Sequence, residues 1–229
     1  MREGHISKAF DGDLAALHIH VLELGGLVLA QVRGASRAYA DWDPELAEQV
    51  VTREGTVIAG LNAIFDEQLR LIARRNPVAS DLRSVLALAR IASELARAGA
   101  ESRKIAFTVG QQNGRPARGT VSDVHHLAHL AGELLHRALE ALDTLDEVVA
   151  EDVIDHDQEL DDEYAAGLRR LLSRAMENPS QTEVTVEAAF TLKSLERIGD
   201  HARNIAAQVV GIVEHQLLQP VIPVHGQVV

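Results

Sequence analysis

Residues 195 to 206 read LERIGDHARNIA, and residues 95 to 106, one hundred positions earlier, read LARAGAESRKIA. Leu95/Leu195, Arg97/Arg197, Gly99/Gly199, Arg103/Arg203, Ile105/Ile205 and Ala106/Ala206 match without a gap, six positions of twelve. Glu196 and Asp200 face Ala96 and Ala100 in the earlier copy. The packing positions of a helix are kept twice and the carboxylates once, so the chain reads as an internal duplication whose halves differ in chemistry.

Working outward, apolar residues recur at three- and four-residue spacing in long segments separated by short breaks, the signature of amphipathic helices. Leu14, Leu17, Val21, Leu24, Val28 and Val32 carry the first segment. Asp43 and Pro44 have the chemistry of an N-cap and first turn, opening a second segment through Leu46, Val50, Val57, Leu61, Ile64 and Leu71. Asn76 and Pro77 end it, because proline disfavours helix in the residue before it. Ser80 caps a third helix running to about Val109. The polar stretch QQNGRPARG, residues 111 to 119, then punctuates the midpoint. Helical periodicity resumes from about Val121 to Leu145 and from about Asp146 to Met176, and Asn178 with Pro179 repeats the earlier break. Ser180 followed by Glu183 has capping-box spacing and opens a last helix to about His215.

The expected fold is all-α, two tandem, pseudo-symmetric antiparallel three-helix bundles of six long helices. The domains are residues 1–110, a linker 111–119, residues 120–216 and a loose tail 217–229. Glycine inside a helix costs about 1 kcal/mol against alanine. Gly99 and Gly199 therefore mark either a close helix–helix approach or a tolerated surface position.

Composition bounds the function. Of 229 residues, 46% are hydrophobic, 24% charged and 3% aromatic, which favours helices over sheets and suffices for a full core. The net charge of -12 repels phosphate backbones and anionic lipid, so nucleic acid is not an expected partner. Zero cysteines exclude thiolate chemistry and leave imidazole and carboxylate as the strong metal ligands. The N-terminus MREGHISKAFDGD has no apolar signal region. No uncharged apolar run reaches the roughly 18 residues of a membrane span. A cytoplasmic protein is the expectation.

Two acid pairs stand at i, i+4 spacing, Asp157 with Asp161 and Glu196 with Asp200, each on one helical face where like charges repel. A hard cation coordinated by oxygen offsets that repulsion; a solvated acidic face is the plain alternative. Aligning residues 50–61 with 153–164 sets Glu54 against Asp157 and Ile58 against Asp161, so the first half keeps one acid of four. That joint loss favours one metal site, in the second half. His125, His129 and His136 share a face of the fourth helix, which suits either a transition metal or ordinary hydrogen bonding. His201 points off the acid face.

No phosphate-binding Gly-rich loop, GxSxG or HExxH motif is present. A ferritin-like di-metal oxidase needs two ExxH helices. Only Glu133 with His136 fits, which leaves that activity and a purely structural helical dimer as alternatives.

LERIGDHARNIA, the DxxxD at Asp157 to Asp161 on the preceding helix, NPVASDLR at 76 to 83 and the duplicated three-helix plan resemble the PhoU family of bacterial phosphate-signalling proteins. The resemblance runs from about residue 5 to 215. It implies a negative regulator of phosphate uptake and of the phosphate-starvation response, without enzymatic activity. Such a protein links the ATPase PstB of the phosphate ABC transporter to the sensor kinase PhoR, meets the membrane only through those partners, and forms a homodimer. It also implies a divalent or trivalent metal ion, Fe, Mn, Mg or Zn, at Asp157, Asp161, Glu196 and Asp200. The first-half counterparts Glu54, Ile58, Ala96 and Ala100 depart from that pattern.

Overall fold

The computed structural model describes residues 3–78, 80–111, 115–178, 180 and 182–217. Six helices follow one another: α1 Glu3–Asp41, α2 Pro44–Arg75, α3 Ser80–Gln111, α4 Arg118–Thr144, α5 Glu147–Glu177 and α6 Thr182–Leu217. Among the described residues no strand occurs.

The corners between helices are written locally. Asp43 accepts hydrogen bonds from the backbone N–H groups of Glu45 (3.0 Å) and Leu46 (3.1 Å), which the first turn of α2 leaves without helical partners. Asp146 does the same for Val148 (2.9 Å) and Val149 (3.2 Å) at the start of α5. The residue before each cap is left-handed, Trp42 with φ 57° and Leu145 with φ 51°. Trp42 and Leu145, like Asp43 and Asp146, stand 103 positions apart, so the same helix–corner–helix device appears in both halves. Asn76 closes α2 in the left-handed conformation, its N–H donating to the Ile72 carbonyl.

Several boundaries differ from the sequence expectation. α1 begins at Glu3, well before its first periodic leucine. The expected linker 111–119 contracts from both ends, because α3 continues to Gln111 and α4 opens at Arg118. α6 begins at Thr182 rather than Ser180, whose hydroxyl donates to Asn178 Oδ1 at 2.7 Å. Pro179, linker residues 112–114 and tail residues 218–229 lie outside the described residues.

α1, α2 and α3 pack into one bundle and α4, α5 and α6 into another; the bundles join along α3–α6 and α1–α4. The α3–α6 pair runs antiparallel, with Arg197 meeting Glu101 and Asn204 meeting Glu94. One contiguous core spans both bundles and includes Leu95, Ile105, Leu195, Ile198 and Ile205 from the repeated segment. Lys8–Asp41 is long and apolar enough by composition to cross a membrane, although it holds no uncharged apolar run near 18 residues. Glu23 interrupts the stretch. In the fold its apolar stripe of Leu17, Val21, Leu24, Val28 and Val32 is buried in the core.

The paired glycines mark close approach. A Cβ on Gly99 would stand 2.9 Å from Gln31 Oε1, and one on Gly199 would stand 2.0 Å from Leu160 Cδ2 and 3.4 Å from Asp157 Oδ1. Both glycines face their own bundle, Gly99 against α1 and α2, Gly199 against α5. Gly199 thus lets α5 approach α6 closely enough to bring Asp157 against the acid face.

Candidate metal-binding site

Asp157 and Asp161 lie one turn apart on α5, and Glu196, Asp200 and Arg203 follow one another at three- or four-residue spacing on α6. Asp157 is 4% exposed. Its Oδ2 meets Arg203 Nη1 at 3.3 Å, while Arg203 Nη2 stands 3.6 Å from Asp200 Oδ1. One guanidinium therefore spans the two helices and two of the expected acids.

Burial raises the Asp157 carboxyl from its ordinary 3.8 to about 6. Arg203 pulls it down, and the negative charges of Asp161, Asp200 and Glu196 push it up. All four expected acids therefore share one electrostatic neighbourhood. Glu196 pairs through Oε1 with Lys193, whose ammonium also lies 5.4 Å from the centre of the Tyr164 ring. Burial works to lower the Lys193 pKa, and the hydrogen bond and charge of Glu196 overcome it and hold the group above its ordinary value. The second Glu196 oxygen, Oε2, is buried without a hydrogen-bond partner.

That donor set suits a hard, oxygen-preferring cation. It combines four carboxylates, an orphaned buried oxygen and a buried aspartate short of positive charge. Among the described residues no three such groups already stand at chelating separation. Arg203 holds the position between Asp157 and Asp200.

The first bundle shows what the loss of the acids leaves. Glu54 pairs with Arg103 Nε at 2.5 Å, the counterpart of the Asp157–Arg203 pair. Ile58 is 49% exposed where Asp161 stands in the second bundle. A single carboxylate facing a single guanidinium is closed as an ion pair, whereas in the second bundle one guanidinium faces several acids. The sequence reading treated Arg103 and Arg203 as architecture and missed this role; the signal available was that the arginine recurs at the same repeat position in both halves, as does the acid it meets, Glu54 or Asp157.

The other sequence-noted residues go elsewhere. His201 Nδ1 lies 2.8 Å from Glu94 Oε2 on α3, and Asn204 donates to the same oxygen at 3.1 Å. Glu101, 5% exposed, receives Lys104 at 2.8 Å and Arg197 at 3.2 Å. The Arg197, His201 and Asn204 contacts tie the α3–α6 seam together. His125, His129 and His136 are exposed on α4.

Comparison with known proteins accords with the two-bundle fold. The PhoU domain family model matches residues 21–109 and again 124–209, one match in each bundle. The Pseudomonas aeruginosa phosphate-specific transport system accessory protein PhoU homolog is 37% identical over 211 residues, covering 91% of this chain and 87% of that one. The Escherichia coli phosphate-specific transport system accessory protein PhoU is 30% identical over 212 residues, 93% and 88% of the two chains. The crystal structure of PhoU from Pseudomonas aeruginosa superposes with a TM-score of 0.86 at 35% identity, over 90% of this chain and 99% of that one. That of the phosphate transport system regulatory protein PhoU from Streptococcus pneumoniae gives 0.82 at 27%, over 92% and 99%. With two matches to the domain model, relatives aligned over nine-tenths of its length and the same six-helix architecture, the chain belongs to the PhoU family.

Proposed function

We propose that this protein is an accessory regulator of phosphate-specific transport, acting in the cytoplasm by binding other proteins rather than by catalysis. The observation that carries the reading is the alignment of nine-tenths of the chain with proteins named as accessory to that transport system. Its finer form is a homodimeric adaptor between the transporter ATPase PstB and the sensor kinase PhoR. In that role it lowers phosphate uptake and the starvation response when phosphate is plentiful. Deletion of the gene should raise uptake and starvation-regulon expression in rich phosphate, and tagged protein should retain the ATPase and the kinase; unchanged expression with no partner retained would overturn the reading.

The second part of the proposal is a metal ion, Fe, Mn, Mg or Zn, held by Asp157, Asp161, Glu196 and Asp200. A bound cation would supply positive charge that links α5 to α6 and offsets the repulsion among the four acids. Arg203 is 44% exposed and can yield its place toward solvent. The orphaned Glu196 Oε2 would gain a partner. Glu54, already closed on Arg103, would take no part.

A further inference from the structure

A second cluster lies on the opposite seam. α1 and α4 pack antiparallel, with the His18 ring 2.9 Å from the Leu142 carbonyl at one end, Gly25 against Leu139, and Val32 facing Gly132 farther along. This register sets Arg33 about level with His129, and Arg37 about level with His125. Together with Ser36 and Glu133 they line a cleft of about 300 Å³.

Arg33 and Arg37 share the lack of a carboxylate partner with exposed arginines such as Arg53 and Arg169, and differ from those in standing one turn apart in a cleft with two imidazoles. Where arginines bridge helices elsewhere a carboxylate meets them: Arg75 has Asp13, Arg103 has Glu54, Arg174 has Asp123, Arg197 has Glu101 and Arg203 has Asp157. Among the described residues neither Arg33 nor Arg37 has a carboxylate within ion-pair distance, although the chain carries 34 acids against 22 bases. One turn beyond Arg37, Arg115 donates to the Ala40 carbonyl at 2.6 Å and adds a third guanidinium near the same end of α1.

Packing of α1 on α4 does not demand this chemistry. Under the 103-residue offset set by the Asp43 and Asp146 caps, the positions equivalent to Arg33, Arg37, His125 and His129 are His136, Glu140, Leu22 and Gly26. Those four equivalent positions hold one imidazole, one acid and no arginine. The charges at this end are an addition to the repeat.

We propose that this α1–α4 cleft binds inorganic phosphate or a phosphate group of a small ester. Two guanidinium forks match the oxygen geometry of phosphate, and two imidazoles and the Ser36 hydroxyl add donors around them. Glu133 is an acceptor in an otherwise donating site. It can receive the O–H that phosphate retains near neutral pH and sulfate lacks, so it discriminates between two oxyanions of similar size and charge. The site is distinct from the α5–α6 acids and does not depend on a metal there.

The test is calorimetric titration of the full-length protein with inorganic phosphate, sulfate and AMP at fixed ionic strength. We expect saturable phosphate binding, weakened about tenfold by Arg33→Gln or Arg37→Gln and about a hundredfold by both. The control pair Arg53→Gln with Arg169→Gln removes the same charge from exposed positions elsewhere and should leave binding intact. Sulfate should bind more weakly than phosphate, and Glu133→Gln should narrow the gap. AMP binding beside phosphate assigns the site to phosphate groups generally, and phosphate alone assigns it to the free ion. In the unmodified protein, phosphate should also move the His125 and His129 ring resonances. No saturable binding, equal losses in the control pair, or unmoved histidine signals would overturn the proposal.

Discussion

Replacing Asp157 by asparagine should make the metal-free protein more stable at neutral pH while removing its response to metal. The buried carboxyl has its pKa raised from 3.8 to about 6, so between those values the folded chain binds more protons than the unfolded one. Stability from this group is therefore full below pH 3.8 and is lost as pH rises through 6. A displacement of that size corresponds to about 3 kcal/mol by pH 7. Asparagine has nearly the same shape and no charge to desolvate. It forfeits the Arg203 ion pair, whose attraction is weak because Arg203 is 44% exposed and is already contained in the Asp157 pKa of about 6. The net expectation is a gain of about 3 kcal/mol at pH 7 that vanishes near pH 4. Urea unfolding of both proteins in chelator, followed by circular dichroism at the two pH values, measures it. Added Mn²⁺ should then raise the midpoint of the parent and leave the variant unmoved, since a ligand stabilises only the state that binds it. A variant less stable than the parent at pH 7 without metal, or a difference independent of pH, would refute the reasoning.

Glu196→Ala with Asp200→Ala should abolish bound Fe, Mn, Mg or Zn in elemental analysis of the purified protein, whereas Glu54→Ala should retain it; equal loss in both would remove the asymmetry between the bundles. Gly199→Ala places a methyl 2.0 Å from Leu160 Cδ2 and should cost about 1–3 kcal/mol in denaturant midpoints. Gly26→Ala, with nothing within 4 Å of its Cβ, should instead gain a few tenths to about 1 kcal/mol from helix propensity. Asp43→Ala and Asp146→Ala should each cost about 1 kcal/mol, being equivalent caps with the same pair of backbone bonds; a large difference between them would show that the two corners are not energetically alike.

The legible features are those set by neighbours in the chain. Leu17, Val21, Leu24, Val28 and Val32 announce one buried stripe by spacing alone, and Asp43, Asn76 and Asp146 announce helix ends because capping acts within three residues. Gly99 and Gly199 declare themselves by recurrence. Boundaries were less legible: the polar residues of QQNGRPARG are compatible with a helix end or a loop, and α3 and α4 both extend into that stretch.

What the sequence alone determined is a duplicated, six-helix, acidic chain with four carboxylates on two helical faces of its second half. Only the tertiary structure decided which charges meet. Arg203 reaches Asp157 from 46 positions away, and Arg197 reaches Glu101 from 96. Arg33 and Arg37 come to share a cleft with His125 and His129 on another bundle. Helical periodicity places a residue on a face but not the register of that face against another helix. That register is set by side chains such as Leu160 against Gly199 and Leu139 against Gly25, where burial and close packing across the seam outweigh any local preference.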